Sequence, residues 1–81
     1  MKHDTDKIDE DVLALLFLTA HRERDGYPWR TWKGHDWEVM DRLCEKGFIS
    51  DPHGKAKSVV FTEEGFAKAQ QLFEAKYTKP E

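Results

Sequence analysis

The stretch GFISDPHGKAKSVVFTEEG, residues 47–65, carries the strongest fold signal in the sequence. Phe48-Ile49 and residues 58–61 are short runs of aromatic and β-branched residues, which favour strands. Between them, the turn-forming residues 51–54 predict a hairpin with a basic loop. Thr62 is typical of a residue that caps a new helix, and two glutamates follow it. The stretch therefore predicts a two-stranded hairpin that lies between two helices.

The first helix of the chain is predicted to begin at Asp6 or Asp9 and to run to about Arg22, with acids near its start and bases near its end. At 100° per residue, an apolar stripe covers one broad side, and Leu15 and Leu18 fall on the far side. The stripe consists of Val12, Leu13, Leu16, Phe17 and Ala20. A helix that is apolar nearly all round is buried all round. Either the fold surrounds this helix or a second subunit covers it, and both alternatives stay open.

A second helix is predicted from an N-cap at Asp36 to a stop before Gly47, since glycine is favoured just after a helix end. Trp37 falls on the apolar side of this helix. The same side carries Val39, Met40, Leu43 and Cys44. Residues 23–35 separate the two helices, and their glycines and proline predict a connecting loop with at most one helical turn. The aromatic residues of this loop, and Trp37 with them, are expected to fold back onto the core.

The length of 81 residues allows one domain, which we place at residues 8–78, between a flexible lead of residues 1–7 and a tail of residues 79–81. Three helices and one hairpin in such a chain predict a small α+β domain. A single cysteine excludes an internal disulfide. The sequence shows no secretory signal and no apolar run of about 18 residues, so it predicts a cytoplasmic protein with no membrane partner.

The order of helix, loop, helix, hairpin and helix resembles the winged-helix superfamily. The matching residues are Leu43, Gly47, Ile49, Thr62 and Gly65. In bacterial winged-helix regulators these parts are the recognition helix, the wing and a helix that often dimerises, so the resemblance implies a winged-helix-like domain with a two-stranded wing. A complete helix-turn-helix also has a positioning helix before the recognition helix. Here residues 24–34, with Pro28 and two glycines, leave room for one turn at most.

The sequence also resembles a family of short bacterial proteins of uncharacterised function. The similar segments are KIDEDVLALLFLT at residues 7–19, WKGHDWEVMDRLCEKG at residues 32–47 and GKAKSVVFTEEG at residues 54–65. Together they cover most of the chain, and their letter-by-letter pattern is specific. The resemblance implies a shared fold, and it implies little about chemistry.

The charges make nucleic-acid binding the alternative function rather than the first. The net charge is −3, whereas phosphate contacts supply most of the affinity of non-specific nucleic-acid binding. The outward side of the second helix carries Glu38, Asp41 and Glu45, whose charges repel phosphates. A DNA-binding winged helix would instead use the basic loops and one arginine of that helix. These candidate contacts are Arg30, Lys33, Arg42, Lys55 and Lys57.

The first hypothesis is a non-enzymatic interaction module that binds a protein partner or forms a homodimer. The candidate contact residues are Leu15, Leu18, Tyr27, Trp29 and Trp32. The loop aromatics have two further interpretations, because small domains use such rings as a satellite core and because interleaved aromatic and basic residues are typical of single-strand stacking platforms. Exposure of Trp29 or Trp32 would favour a partner-binding patch.

Residues suited to catalysis or metal binding are scattered along the chain. His3, His21, His35, His53 and Cys44 lie in different segments, without the spacing of about two to four residues that zinc ligands use. Cys44 is expected to be a small buried core residue. His35 and Asp36 are adjacent in sequence, which usually points their side chains apart. The sequence therefore predicts no catalytic residue, no metal site, no cofactor and no enzymatic activity.

Overall fold

A computed structural model describes residues 2–80 of the chain. Its elements are α1 (Thr5–Leu18), β1 (Arg30–Trp32), α2 (Trp37–Glu45), β2 (Ser58–Val60) and α3 (Glu63–Tyr77). The two strands pair in antiparallel fashion, with Thr31 opposite Val59. The predicted α+β class, with three helices and a two-stranded sheet, is confirmed. The first residue of the predicted lead and the last residue of the predicted tail, Met1 and Glu81, lie outside the described residues.

One strand of the sheet comes from a different segment than the hairpin prediction proposed. The partner of β2 is β1, which lies in the segment predicted as a loop, whereas Ile49 forms an isolated bridge with Phe61. The pairing continues beyond the strands, because Phe61 N donates to Trp29 O at 2.9 Å. Residue 49 is followed within three positions by the buried ring of Pro52, which lacks the backbone N–H that a longer strand needs. The strand predicted at residues 48–49 is therefore wrong.

Helix α1 begins and ends earlier than the sequence predicted. Its N-cap is Asp4, whose carboxylate accepts a hydrogen bond from Lys7 N at 3.0 Å, so neither Asp6 nor Asp9 is the cap. The helix ends at Leu18, four positions before the predicted end. Thr31 stabilises this earlier end, because its buried hydroxyl donates to Leu16 O at 2.7 Å and satisfies a carbonyl of the last turn.

The local signals at the other helix ends are confirmed. Asp36 is the N-cap of α2, and its carboxylate accepts from Val39 N at 3.3 Å. Gly47 follows α2 with a φ of 81°, a backbone conformation that favours glycine. Thr62 is the N-cap of α3, and its hydroxyl accepts from Gly65 N at 2.8 Å. These three ends are set by short-range hydrogen bonds, which the sequence shows directly.

The core lies where α1, α2, α3 and the sheet meet. Its buried apolar members are Leu13, Leu16, Val39, Met40, Leu43, Ile49, Val59, Phe61 and Ala69. Gly65 brings α3 onto the chain that follows α2, because a β-carbon at this position would overlap the backbone of Phe48. The sheet places Thr31 inward and leaves Arg30 and Trp32 on its outer side. This arrangement decides which of the candidate residues stay accessible.

Candidate functional site

The α1 face is an apolar surface of the first helix, made of Ile8, Leu15 and Leu18. These side chains are 39%, 41% and 65% exposed. At 100° per residue they lie within an arc of about 80°, so they point to the same side of the helix. The described residues thus leave uncovered the side that the sequence predicted to be buried. Of the two sequence alternatives, burial of Leu15 and Leu18 within the chain itself is wrong.

The opposite side of α1 holds a buried ion cluster centred on Asp9. This carboxylate is 1% exposed and accepts hydrogen bonds from Arg42 Nε at 2.8 Å and from Arg42 Nη2 at 2.8 Å. Lys46 Nζ donates to it at 2.9 Å. Burial alone would raise the pKa of Asp9, but the hydrogen bonds from Arg42 and Lys46 outweigh it and hold the pKa below its ordinary value. The cluster fastens α1 to α2.

The Asp9 cluster engages Arg42, which the sequence predicted as a nucleic-acid contact. The guanidinium of Arg42 is turned inward to a partner 33 positions away in sequence. Sequence reasoning missed this pair, although a signal was present. Asp9 lies four positions before Leu13 and seven before Leu16, so it falls on the apolar stripe of the helix. A charged residue on such a stripe indicates a buried ionic partner.

The wing face is the surface formed by Trp32, Lys33, Trp37, Lys55 and Lys57. Trp32 is 52% exposed and Trp37 is 55% exposed. The predicted place of Trp37 in the core is therefore wrong. Trp37 is the first residue of α2, and the buried side of this helix begins later, at Val39 and Met40.

The ring of Trp37 packs instead on the loop between residues 51 and 57. It stacks on His53 with ring centroids 4.9 Å apart and an angle of 11° between the planes. His53 Nε2 lies 2.6 Å from Asp41 Oδ1, and the backbone N of His53 donates to Asp51 Oδ1 at 2.9 Å. The histidine is thereby held between α2 and its own loop. One side of the Trp37 ring is fixed in place, and more than half of the side chain stays in solvent.

Of the predicted basic contacts, Lys33 holds this loop and Arg30 binds the first residue of β2. Lys33 Nζ donates to Pro52 O at 2.7 Å and to Gly54 O at 2.6 Å, and it lies 6.0 Å from the centroid of the Trp37 ring. Arg30 Nε donates to Ser58 Oγ at 2.8 Å across the sheet. By contrast, the side chains of Lys55 and Lys57 are exposed and make no hydrogen bond or ion pair with any residue between positions 2 and 80.

The remaining predicted partner-binding residues, Tyr27 and Trp29, line a groove that is distinct from the α1 face and the wing face. Trp29 is half-buried and stacks on Phe66 of α3, with ring centroids 4.9 Å apart. The guanidinium of Arg22 lies 4.6 Å from the centroid of the Trp29 ring, and Tyr27 is 46% exposed. The groove has a volume of about 470 Å³. The predicted partner-binding residues therefore fall in three places: the α1 face, the wing face and this groove.

Comparison with known proteins places this arrangement in a family. Residues 4–79 match the family model described as Domain of unknown function (DUF6429). The chain belongs to this family. A relative from Sinorhizobium fredii (strain NBRC 101917 / NGR234), named Uncharacterized protein y4hR, is 49% identical over 79 residues, which is 98% of this chain and 100% of the relative. The resemblance to a family of short bacterial proteins is thus confirmed. No solved structure matches the chain.

Within this DUF6429 domain, the remaining chemical candidates stay apart. Among residues 2–80, no group of three or more His, Cys, Asp or Glu side chains is placed to hold a metal ion. Cys44, predicted to be a small buried core residue, is half-buried on α2 and packs against the core. Over the same residues, no helix is both long and apolar enough to cross a membrane. The accessible features of the domain are therefore its exposed aliphatic and aromatic side chains.

Proposed function

We propose that this DUF6429 domain is a non-enzymatic interaction module of the cytoplasm, and that it pairs with a second copy of itself through the α1 face. The observation that carries the proposal is the exposure of Leu15 and Leu18, at 41% and 65%, on one side of a helix that is packed on its other sides. Exposed leucines occur singly on many surfaces. Here they share a side with Ile8, and such a patch is typical of an interaction surface.

The shape of the molecule supports a covered face. The chain has extents of 41 × 38 × 19 Å and a radius of gyration of 12.7 Å, whereas about 11.7 Å is expected for a compact domain of this length. Its accessible surface is 6006 Å², compared with about 5,000 Å² for a compact monomer of the same mass. The extended ends account for part of the difference. A larger surface than that of a compact monomer is what a chain with an uncovered interface would show.

The apolar side chains of the α1 face favour a second copy of the chain over a different protein as the partner. A homodimer with two-fold symmetry brings the same patch from each subunit together, so the patch must be complementary to itself. Aliphatic side chains meet this condition because they need no opposite charge across the interface. The neighbouring charges Asp11 and Lys76 already pair with each other within one chain. Asp11 lies within the same arc, between Ile8 and Leu15 along the helix, so this internal ion pair would lie inside the interface.

Sedimentation velocity at about 5 μM and about 500 μM tests the homodimer, since mass action shifts only an associating protein. We expect the wild type to sediment as a dimer at the higher concentration. A Leu15→Glu/Leu18→Glu variant is expected to stay monomeric, with the far-UV circular dichroism of the wild type, because both positions are exposed in the single chain.

The matched control is Tyr27→Glu, which puts a charge on an exposed side chain away from the α1 face. This variant is expected to dimerise like the wild type. A wild type that is monomeric at both concentrations contradicts the proposal. So does a Tyr27→Glu variant that loses the dimer as fully as the double leucine variant.

The alternative function, a DNA-binding winged-helix regulator that uses wing lysines, is favoured by one observation, the exposed and unpaired Lys55 and Lys57. Two features disfavour it. Arg42 is occupied by Asp9, and α2 presents Glu38 and Glu45 to solvent. A mobility-shift titration with random duplex at low salt tests this alternative, because non-specific phosphate binding is strongest there. No shift at tens of micromolar protein would remove it.

A further inference from the structure

Each of the two exposed tryptophans of the wing face packs against the protein on one side of its ring and is open to solvent on the other. The ring of Trp32 lies over Gly34 so closely that a β-carbon at that position would overlap its indole nitrogen. The ring of Trp37 is backed by the imidazole of His53. Each side chain is nevertheless more than half exposed. Rings that are already ordered lose less conformational entropy when a planar group stacks on them, so both indoles are suited to bind a second flat ring.

Basic residues surround these rings, and the sheet brings them together. Residues 30–34 and 53–58 contain Arg30, Lys33, Lys55 and Lys57 and no carboxylate. The two segments are neighbours, since Trp32 lies opposite Ser58 and Lys33 N donates to Lys57 O at 3.3 Å. Residues 30–34 and 53–58 therefore carry a net positive charge, although the whole chain has a net charge of −3.

Four carboxylates flank the wing face, and three of them make contacts within the chain. Asp41 lies against His53 Nε2, and Asp51 accepts the backbone N–H of the same histidine. Asp36 accepts from Val39 N as the cap of α2. Asp36, Asp51 and the fourth acid, Glu38 next to Trp37, are nevertheless exposed. The free cationic groups, Lys55 and Lys57, extend into solvent.

We propose that the wing face binds single-stranded nucleic acid, with bases stacked on Trp32 and Trp37 and with phosphates paired to Lys55 and Lys57. Exposed aromatic rings next to cations are the two components of such sites, because every base has a flat face and every nucleotide carries a charge. A duplex fits less well. Its bases are already stacked on one another, and a helix that entered its groove here would be α2, with the exposed acids Glu38 and Glu45. The inference does not depend on the homodimer, which uses the α1 face.

Fluorescence anisotropy of a labelled dT oligonucleotide of about ten nucleotides, at low salt, tests the proposal. We expect saturable binding at micromolar protein. Trp32→Ala should weaken it by about tenfold, the effect of losing one stacked base. Lys55→Ala/Lys57→Ala should weaken it as well. The double variant should also lower the slope of log affinity against log salt by about 1.4, as expected for two phosphates on a single strand.

The charge-matched control is Lys68→Ala/Lys79→Ala, which removes two cations from α3 and the tail that follows it. This variant should bind like the wild type. Gly34→Ala gives a second test of Trp32, because the added methyl group displaces the ring while the indole remains in the chain. It should weaken binding by about as much as Trp32→Ala, again near tenfold. Urea unfolding of each variant verifies that it is folded.

Four results would overturn the proposal. The first is an unchanged anisotropy up to tens of micromolar protein. The second is equal affinity for a hairpin duplex of the same length, and the third is equal affinity for inorganic polyphosphate, which has charge but no bases. The fourth is a loss in the control Lys68→Ala/Lys79→Ala as large as that in Lys55→Ala/Lys57→Ala. If the protein dimerises but shows any of these results, the nucleic-acid proposal fails while the homodimer proposal stands.

Discussion

At the scale of single residues, Asp9 shows how one buried charge ties two helices together. Its carboxylate is almost fully enclosed, yet each of its oxygens accepts hydrogen bonds from Arg42 or Lys46. Burying an ion costs free energy unless its partners repay the lost hydration. Four charge-assisted hydrogen bonds from two cations satisfy this condition and fix the angle of the carboxylate. Removing the negative charge would leave two cations facing each other.

Asp9→Asn is therefore expected to lower the free energy of unfolding by about 3–5 kcal/mol, the usual effect of breaking a buried ion pair. Urea unfolding followed by tryptophan fluorescence measures it. The control is Asp11→Asn, which breaks the ion pair to Lys76 at a side chain that is 47% exposed. That variant should change stability by less than about 1 kcal/mol. Equal losses in the two variants would contradict a special role for Asp9.

The same carboxylate predicts a dependence on pH. Its pKa in the folded protein lies below the ordinary value of 3.8, because the hydrogen bonds from Arg42 and Lys46 outweigh the effect of burial. The stabilisation is therefore complete above pH 3.8 and is lost as the pH falls through the folded-state value. Unfolding free energies from pH 7 down to about 2 should fall more steeply for the wild type than for Asp9→Asn. Parallel curves would show that Asp9 is not the group responsible.

At the scale of elements, the end of α1 and the start of the sheet are held together by the same contacts. Thr31 donates its hydroxyl to Leu16 O at 2.7 Å and lies 2.9 Å from the hydroxyl of Thr19. Immediately after the helix, His21 forms a bridge with Arg30. A buried threonine of β1 thus completes the last turn of α1, and the chain then runs back along the strand. The Thr31 side chain and the His21–Arg30 bridge together couple the helix to the sheet.

Thr31→Val removes the hydroxyl and keeps the shape, so Leu16 O loses its shortest hydrogen bond. We expect the free energy of unfolding to fall by about 1–2 kcal/mol, because a buried acceptor is left poorly satisfied. Urea unfolding measures the change. Thr5→Val, the same substitution at an exposed position, should stay within about 0.5 kcal/mol of the wild type. A neutral Thr31→Val would mean that the hydroxyl does not hold the helix end.

Helix α2 makes a further prediction through its first residue. Trp37→Ala should lower the free energy of unfolding by about 1–2 kcal/mol, because most of the ring is in solvent and what is lost is chiefly its stack on His53. A tryptophan in the core would lose about 3–5 kcal/mol. The comparison variant is Leu43→Ala, on the buried side of the same helix, with an expected loss of about 2–5 kcal/mol. A larger loss for Trp37 than for Leu43 would contradict its exposed position.

The sequence predicted those elements whose signals are local. The caps at Asp36 and Thr62 and the turn at Gly47 depend on neighbours within a few residues, and all three are confirmed. Strand β1 escaped prediction because its partner strand is β2, where Thr31 lies opposite Val59, 28 positions away. Periodicity showed which residues share a side of a helix. It did not show where the neighbouring elements lie, and this is why Trp37 was placed in the core.

The candidate sites also divide into features with local sequence signals and features that depend on distant contacts. Leu15 and Leu18 lie on the far side of α1, as periodicity predicted, and their exposure reflects where the other elements pack. Asp9 and Arg42 are 33 positions apart in sequence. The one sign of their ion pair in the sequence was a charged residue on the apolar stripe of α1. The ordered rings of Trp32 and Trp37 depend on Gly34 and on a loop histidine, respectively. Spacing along the chain does not reveal such supports.

At the scale of the whole molecule, the flat shape and the α1 face make stability depend on concentration. If two copies pair, dimer formation adds to the free energy of unfolding as concentration rises. Over about a hundredfold range of concentration, the Tm of the wild type should rise by several degrees. Leu15→Glu/Leu18→Glu should show one Tm throughout. Circular dichroism scans measure both, and a constant Tm for the wild type would contradict self-association.

The packing of α1 on α3 has a consequence for synthesis on the ribosome. These two helices form the most extensive contact between elements, and the ion pair of Asp11 with Lys76 spans 65 positions of the chain. Phe17 of α1 meets its partners Phe66 and Phe73 only after nearly the whole chain has been translated. A nascent chain that ends at residue 62 therefore presents an unpaired apolar helix, which is the kind of segment that chaperones and proteases recognise. Native folding has to wait for α3, Glu63–Tyr77, to leave the exit tunnel.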